Sequence, residues 1–292
     1  MLKDSNKVIC TGGLDSLYID YEGNIFRCHA HTYNPELRIG HILNFEVHKI
    51  NPICQDYKCT EICDKLATQQ WVNGKKITNN VIIPYPEVDN INDLDYSNLR
   101  FFAELVNGCT NKCPYCFSVK SKNFTPKFIN SNDFLNFCSR IFKNKKGIKS
   151  ILFDGLGDSI SHPDFEYIVD FLIENNIGVC IITSGINYID VIERVLNNLT
   201  QKNKLHFFSI INSLHISSHI WDNNKFIDLL KVLKKYNVLN KTIYNFVNHY
   251  LNNENFNKIE DILDSFGIKD RLNIIECDYN ACALKPKIFK KI

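Results

Sequence analysis

The 292-residue sequence lacks any long apolar run, and it lacks an excess of charge of either sign. No window approaches the roughly 18 consecutive apolar residues of a transmembrane helix, and the chain begins without an apolar core of signal-peptide length. The 34 Lys and Arg residues nearly balance the 32 Asp and Glu residues, which leaves a formal net charge of +2. This balance gives no overall electrostatic attraction for nucleic acid or an anionic membrane. We therefore expect a cytoplasmic protein with no nucleic-acid or membrane partner.

Cysteine, in contrast, is abundant, with 12 residues in the chain. Disulfides are rare in the reducing cytosol, so this number favours metal or cluster binding over disulfide bonds. Cys109, Cys113 and Cys116 lie in the segment CTNKCPYC with the spacing C-x3-C-x2-C. Three thiolates from one loop can hold three irons of a [4Fe–4S] cluster and leave the fourth iron open. The alternative is a zinc site, which would want a fourth Cys or His at ribbon spacing, and none follows closely.

The second part of the chain alternates short apolar segments with longer amphipathic ones. The pattern predicts strands over residues 99–106, 150–155, 178–184, 205–211, 242–248 and 271–277. It predicts helices over residues 131–142, 164–175, 188–199, 223–236 and 255–266. Such alternation with near-continuous apolar strands indicates an α/β fold, with helices outside a parallel sheet. Six strands are too few for a closed eight-stranded barrel, so we expect an open, partial (β/α)6 barrel of the TIM-like kind.

The first part of the chain has a different texture, because five cysteines and four histidines fall within residues 1–70. The segment LYIDYEGNIFRC indicates a β-hairpin with Gly23 in its turn, and Asn73-Gly74 is typical of a second hairpin turn. Two prolines then mark an extended connector. We therefore expect a small cysteine-rich β-hairpin domain over residues 1–84, a linker over 85–97 and the partial barrel over 98–292.

The segment CTNKCPYC resembles the cluster motif of the radical S-adenosylmethionine (radical SAM) superfamily, with Tyr115 in the aromatic position. The resemblance covers roughly residues 98–277, and the family fold is a (β/α)6 partial barrel. It implies that the three cysteines hold a [4Fe–4S] cluster whose open iron binds SAM. It also implies an electron donor, such as flavodoxin or ferredoxin, and reductive cleavage of SAM to a 5′-deoxyadenosyl radical. In the family, that radical abstracts hydrogen from an unactivated C–H bond. We therefore expect an oxidoreductase.

The loop after the second predicted strand resembles a SAM-binding loop of the same family. LGDS, residues 156–159, aligns with the family's G-G-E-P stretch, but it has Leu for the first Gly and Asp for Glu. The resemblance implies that Gly157 lets the backbone approach SAM and that Asp158 accepts hydrogen bonds from its ammonium group. The alternative interpretation is an ordinary loop in which Asp158 caps a helix.

Later loops extend the resemblance to further SAM-binding positions. TSG, residues 183–185, resembles the family's T-N-G loop, with Ser184 in place of Asn. Asn212 and Asn248 lie where the fourth and fifth predicted strands end, which implies contact with the ribose or carboxylate of SAM. A polar turn is the ordinary alternative for TSG.

The N-terminal cysteines resemble the SPASM or twitch auxiliary-cluster domains of radical SAM enzymes. Cys10, Gly23 and Cys28 have the spacing C-x12-G-x4-C, which fits the opening of such a domain. The resemblance implies a second, auxiliary [4Fe–4S] cluster with ligands among Cys10, Cys28, Cys54, Cys59 and Cys63. The closing cysteines are sparser than in the family, and the domain precedes the barrel instead of following it. A structural zinc site is the alternative.

The resemblance implies a radical SAM enzyme, and SPASM-type members often modify peptides or proteins. We therefore expect a peptide or protein substrate. Two alternatives stay open: epimerisation or dehydrogenation of a sugar, nucleotide or antibiotic precursor, and a non-catalytic iron–sulfur or zinc protein. Cys277 ends the last predicted strand and Asp278 and Tyr279 follow it, so we expect these three residues to be catalytic groups that face the substrate.

Overall fold

A computed structural model defines the strands and helices of the chain. It describes residues 7–10, 16–27, 32, 34–44, 71–72, 75–76, 81–84, 99–109, 125–143, 149–185, 187–202, 211–216, 222–242, 244–247 and 253–275. The strands are β1 (Lys7–Cys10), β2 (Ser16–Ile19), β3 (Asn24–Phe26), β4 (Gly40–His41), β5 (Trp71–Val72), β6 (Lys75–Lys76), β7 (Val81–Pro84), β8 (Leu99–Ala103), β9 (Val106–Asn107), β10 (Lys127–Phe128), β11 (Lys149–Phe153), β12 (Gly178–Thr183), β13 (Ile211–Ile216), β14 (Tyr244–Val247) and β15 (Leu272–Ile275). The helices are α1 (Ser131–Phe142), α2 (Phe165–Glu174), α3 (Ile189–Gln201), α4 (Asn223–Lys235) and α5 (Asn253–Ser265).

Parallel strands form the centre of the main sheet, in the order β8-β11-β12-β13-β14-β15. Neighbours in this part of the sheet are also successive along the chain, and one of the five helices connects each pair. Long, mostly apolar strands joined by amphipathic helices bury both faces of such a sheet. The α/β architecture predicted from the sequence is therefore confirmed, and it is compatible with a partial barrel.

Helix α4 shows how the sequence pattern produces these elements. Asp222 caps its start, where one carboxylate oxygen accepts hydrogen bonds from the backbone N–H groups of Asn224 and Lys225. The apolar positions recur at i, i+3, i+4 and i+7, and all four side chains are fully buried: Phe226, Leu229, Leu230 and Leu233. The Phe226 ring meets the ring of Tyr244 on β14 at 6.2 Å. This apolar face attaches the helix to the sheet.

The predicted fourth strand meets the described strand β13 at Ile211, and the rest of the prediction, residues 205–210, lies outside the described residues. The prediction covered residues 205–211, whereas β13 spans Ile211–Ile216 in the described part of the chain. In the described residues, backbone pairing with β12 runs along INSLHI, where Leu214 lies opposite Thr183. Polar residues interrupt the apolar pattern of this strand, so the pattern alone does not predict it. As a result, Asn212 lies inside β13 and not in the loop that follows it.

N-terminal strands extend the main sheet beyond β8. β2 pairs in parallel with β8, and Ile19 lies opposite Ala103. β3 pairs antiparallel with β2, and β4 pairs antiparallel with β3. The hairpin predicted around Gly23 is therefore confirmed, and Gly23 has a φ of +85° that suits glycine. Because β2 and β8 run in the same direction, the turn of this hairpin lies at the sheet edge where β8 ends.

Two smaller ladders also belong to the first part of the chain. β5 and β6 pair antiparallel around residues 73–74, which confirms the second predicted hairpin. β1 and β7 pair in parallel. The separate auxiliary domain stays a prediction, and its linker over residues 85–97 lies outside the described residues. Among the helices that the structure describes, none is long and apolar enough to cross a membrane.

Candidate functional site

Three loops that carry predicted site residues begin at one edge of the sheet. They follow β8, β11 and β12, which are adjacent parallel strands. The carboxyl ends of parallel strands meet at the same edge, which is where α/β proteins commonly bind ligands. A backbone hydrogen bond of 3.2 Å, from Asp154 N–H to the Ala103 carbonyl, joins the first two loops at their start.

The cysteine loop, residues 108–126, is closed at its base by two short strands. β9 precedes it and pairs antiparallel with β10, which follows it, and Asn107 lies opposite Lys127. Cys109 is the second residue of the loop and has a partly exposed side chain. Gly108, just before it, has a φ of +118°. The positions of Cys113, Tyr115 and Cys116 lie outside the described residues.

Gly157 packs directly on the backbone that leads to Cys109. A Cβ atom at this position would overlap the carbonyl oxygens of Val106 and Gly108. Glycine is therefore the residue that permits this approach. The sequence predicted that the Gly157 backbone approaches SAM closely. In the described residues, it approaches the backbone at the base of the cysteine loop. The LGDS loop, residues 156–159, thus lies beside the first predicted cluster ligand.

Asp158 joins the LGDS loop to the TSG loop, residues 183–185. Its Oδ1 accepts a hydrogen bond from the Thr183 hydroxyl at 2.7 Å. Its Oδ2 accepts from the Ser184 N–H at 3.0 Å and from the Ser184 hydroxyl at 2.9 Å. Burial raises the pKa of the Asp158 carboxyl, and the hydrogen bonds from Thr183 and Ser184 oppose that shift. Both oxygens of the carboxyl are therefore engaged by the neighbouring loop.

Thr183 completes the turn that Asp158 holds. Its hydroxyl donates to Asp158 and accepts from the Gly185 N–H at 3.1 Å. Gly185 has a φ of +67°, so the chain turns sharply after β12. Thr183 was absent from the predicted site residues, although it begins the TSG segment. A threonine at the end of an apolar strand, just before a Ser-Gly turn, was the available signal.

Glu104 is a second residue that the sequence analysis missed. It follows β8 directly, and only 4% of it is exposed. Its Oε1 accepts from the Leu156 N–H at 2.8 Å and from the Asn107 side-chain amide at 3.3 Å. Burial raises the pKa of the Glu104 carboxyl to about 7, although these hydrogen bonds favour the charged form. An acidic residue inside the apolar segment FFAELV was the signal for it.

Several predicted site residues are not brought to this edge by the described part of the chain. Asn212 lies within β13, two residues before Leu214, which pairs with Thr183. Cys10 ends β1, which belongs to a ladder separate from the main sheet. The remaining predicted residues lie outside the described residues: Cys28, Cys54, Cys59, Cys63, Asn248, Cys277, Asp278 and Tyr279. Their roles stay predictions.

The sheet and the strand-end loops are those of a cofactor-binding α/β enzyme, and sequence comparison identifies the family. The model of the radical SAM superfamily matches residues 104–266, which is more than half of the chain. The chain therefore belongs to the radical SAM superfamily, and it is a radical SAM enzyme whose reaction on a substrate is unknown. No curated protein matches the chain. The matched region begins at Glu104 and contains all three loops described above.

Membership of the superfamily implies a [4Fe–4S] cluster and SAM. The described residues fit both groups. Cys109 places a thiol, the usual ligand of iron in such clusters, at the carboxyl end of the strands. Beside it, the missing side chain of Gly157 lets the LGDS loop pack against the carbonyls of Val106 and Gly108, which brings that loop next to Cys109. The Asp158 carboxyl of the LGDS loop and the Ser184 hydroxyl of the TSG loop add polar atoms at the same edge of the sheet.

Proposed function

We propose that the chain modifies a peptide or protein substrate by radical SAM chemistry. Cys109, Cys113 and Cys116 hold the [4Fe–4S] cluster. The SAM-binding residues are Tyr115, Gly157, Asp158, Ser184 and Asn248. Cys277, Asp278 and Tyr279 act on the substrate. A reductant such as flavodoxin or ferredoxin supplies the electron.

The observation that carries the cofactor site is the packing of Gly157 on the carbonyls of Val106 and Gly108. The cysteine loop and the LGDS loop lie on adjacent strands, so sequence order alone would allow several ångströms between them. The glycine contact removes that freedom. It supports a site in which one molecule touches the Cys109 loop and the LGDS loop together.

The residues of this site divide the work of binding. The thiolates bind iron, and the cluster with SAM supplies a 5′-deoxyadenosyl radical for hydrogen abstraction. Asp158 fixes the Thr183–Gly185 turn through its three hydrogen bonds. The Ile160 backbone is a fourth hydrogen-bond partner, so a SAM ammonium group at this carboxylate would share an acceptor position with one of these protein donors. Asp is shorter than the Glu of the family motif, and its carboxyl is bonded directly to the TSG loop.

The peptide substrate rests on the N-terminal cysteines and on where the N-terminal strands join the sheet. Four of the five N-terminal cysteines suffice for an auxiliary [4Fe–4S] cluster. β2 pairs with β8, so the turn after Ile19 lies at the edge from which the cysteine loop begins. Glu104 N–H donates to the Ile19 carbonyl at 2.8 Å, which holds that turn in place. This placement of β2 supports a role for the N-terminal segment in holding a bulky substrate.

Deuterium transfer tests the substrate class directly. Anaerobically reconstituted full-length protein is incubated with SAM, dithionite and one of two uniformly deuterated pools. One pool is a tryptic digest of deuterated protein, and the other is a mixture of deuterated sugars and nucleosides. Because the radical abstracts hydrogen from the substrate, the substrate's deuterium should appear in 5′-deoxyadenosine.

We expect deuterated 5′-deoxyadenosine with the peptide pool, detected by mass spectrometry. A variant with Cys109→Ala is the control, since it removes a cluster ligand and should abolish the product with either pool. Deuterium transfer from the sugar and nucleoside pool alone would overturn the peptide assignment in favour of small-molecule chemistry.

A further inference from the structure

Glu104 is a buried carboxyl that the proposed function does not use. It follows β8 and precedes the cysteine loop by a few residues. Only 4% of it is exposed. Burial of a carboxyl costs free energy unless hydrogen bonds compensate for the lost water. A Leu or Val would satisfy the apolar surroundings at this position without that cost, so the carboxyl calls for an explanation beyond burial.

One oxygen of Glu104 connects the two loops of the proposed cofactor site. Its Oε1 accepts from the Leu156 N–H at 2.8 Å, and Leu156 directly precedes Gly157. The same oxygen accepts from the Asn107 side chain at 3.3 Å, and Asn107 lies two residues before Cys109. A single acceptor therefore fixes the start of the LGDS loop relative to the start of the cysteine loop.

The backbone of the LGDS loop is shaped around this side chain. Gly155 has a φ of +142°, a conformation that residues with a Cβ rarely adopt. A Cβ at Gly155 would lie 2.5 Å from Glu104 Cγ and 2.9 Å from its Oε1. The missing side chain at Gly155 therefore makes the space that the Glu104 carboxyl occupies. Hydrogen bonding and steric fit point to the same pairing.

We propose that Glu104 is a positioning residue that sets the spacing between the cysteine loop and the LGDS loop. The inference rests on the proposed function, because it assumes that these loops bind the cluster and SAM. Glu104 acts through Leu156 and Asn107 and does not itself touch the reacting atoms. Residues that orient ligand-bearing groups in this way typically change affinity by about 10- to 100-fold when they are removed.

The variants separate spacing from general stability. Glu104→Gln keeps a carbonyl oxygen at the same distance from the backbone, whereas Glu104→Leu removes the acceptor and keeps the bulk. Asn107→Ala removes the link to the cysteine loop alone. Phe101→Leu is the matched control, because Phe101 lies on the same strand, is fully buried and packs on Phe137 and Phe142 of α1. It weakens the core without contacting either loop.

The readout is the electron paramagnetic resonance spectrum of the dithionite-reduced cluster during a titration with SAM. SAM bound at the open iron changes the surroundings of the cluster, so the spectrum reports binding without turnover. We expect Glu104→Leu to need about tenfold more SAM, or still more, for the half-maximal spectral change. Glu104→Gln should stay within about threefold of the wild type, and Phe101→Leu should match the wild type.

Wild-type SAM dependence in a folded, cluster-loaded Glu104→Leu protein would overturn the inference. An equal shift in Glu104→Leu and Phe101→Leu would also overturn it, since both would then report lost stability. If Glu104→Leu does not fold, Asn107→Ala decides in its place, and unchanged SAM dependence there rejects the inference. A wild-type spectrum that does not respond to SAM would instead reject the proposed function, on which the inference rests.

Discussion

At Gly157, a single hydrogen in place of a side chain lets two loops touch. A Cβ here would overlap the carbonyl oxygens of Val106, in the paired strand β9, and of Gly108, just after that strand. Backbone of this kind cannot rotate away as a flexible side chain can. We therefore expect the site to be more sensitive at Gly157 than at most other glycines of the chain.

Gly157→Ala should abolish or strongly reduce 5′-deoxyadenosine formation and lower the free energy of unfolding by about 2 kcal/mol or more. Gly267→Ala is the control. Gly267 has a φ of +72°, but a Cβ there would meet nothing within 4 Å, so only backbone strain of about 1 kcal/mol is added. Urea unfolding and product formation are measured for both variants. If Gly157→Ala loses no more stability than Gly267→Ala and still forms product at the full level, the packing of Gly157 on the cysteine loop is contradicted.

Glu104 makes stability depend on pH. Its pKa is raised from 4.5 to about 7, mainly by burial, with a smaller contribution from the charge of Asp20. The folded protein therefore holds a proton on Glu104 over a pH range in which the unfolded chain has lost it. As pH rises from about 4.5 to 7, this group should lower the free energy of unfolding by an amount on the order of 3 kcal/mol.

Glu104→Gln removes this contribution, because an amide does not titrate. Urea unfolding at pH 5 and pH 8 measures the effect for the wild type and the variant. The wild type should lose more stability than the variant as pH rises. Asp20 and Asp158 also have raised pKa values, but they are present in both proteins and cancel in the comparison. Parallel pH profiles would show that burial does not hold the Glu104 proton.

At the scale of elements, Asp158 couples the loops after β11 and β12. Its carboxyl accepts from Thr183, and both groups are buried, so the two residues share one interaction. A double-mutant cycle of Asp158→Asn and Thr183→Val should give a coupling energy of about 1 kcal/mol or more in urea unfolding. Thr183→Val with Ser131→Ala is the control pair, since Ser131 bonds to Asp164 instead. Additive effects in the Asp158–Thr183 cycle would show that the two side chains do not interact, and would contradict the coupling of the two loops.

The sequence was sufficient to predict those elements whose stability comes from periodic burial. α4 has Leu229, Leu230 and Leu233 at helical spacing, and its observed bounds differ from the prediction by one residue at the end. The part of β13 after Ile211 was not predicted, because it pairs with β12 through its backbone while polar residues interrupt its apolar pattern. Pairing is a property of two strands, so one strand read alone does not reveal it.

Part of the site could also be predicted from the sequence. Gly157, Asp158 and Ser184 were found by spacing and motif, and the structure brings these residues to neighbouring loops. The function of Glu104 was hidden, because its partners Leu156 and Asn107 come from different segments of the chain. Only the folded arrangement shows that one oxygen accepts from both.

In the molecule as a whole, β2, β3 and β4 belong to the cysteine-rich segment and also to the main sheet. An auxiliary cluster in that segment predicts about eight irons per chain, against about four for the barrel cluster alone. Replacing Cys28 and Cys63 by Ala should lower the iron content from about eight to about four and leave the barrel cluster in place. Iron analysis after anaerobic reconstitution measures this. About four irons in the unchanged protein, with zinc bound in addition, would favour a structural zinc site.

Formation of 5′-deoxyadenosine by the purified protein is the direct test of radical SAM chemistry at this site. The reconstituted full-length chain is incubated with SAM and dithionite without oxygen, and the product is quantified by liquid chromatography and mass spectrometry. We predict 5′-deoxyadenosine and methionine from the wild type and from Cys138→Ala, whose thiol is buried in α1 away from the strand ends. Cys109→Ala should form neither. A wild-type protein that holds its full iron content but forms no 5′-deoxyadenosine, or a Cys109→Ala variant that forms as much as the wild type, would contradict the account.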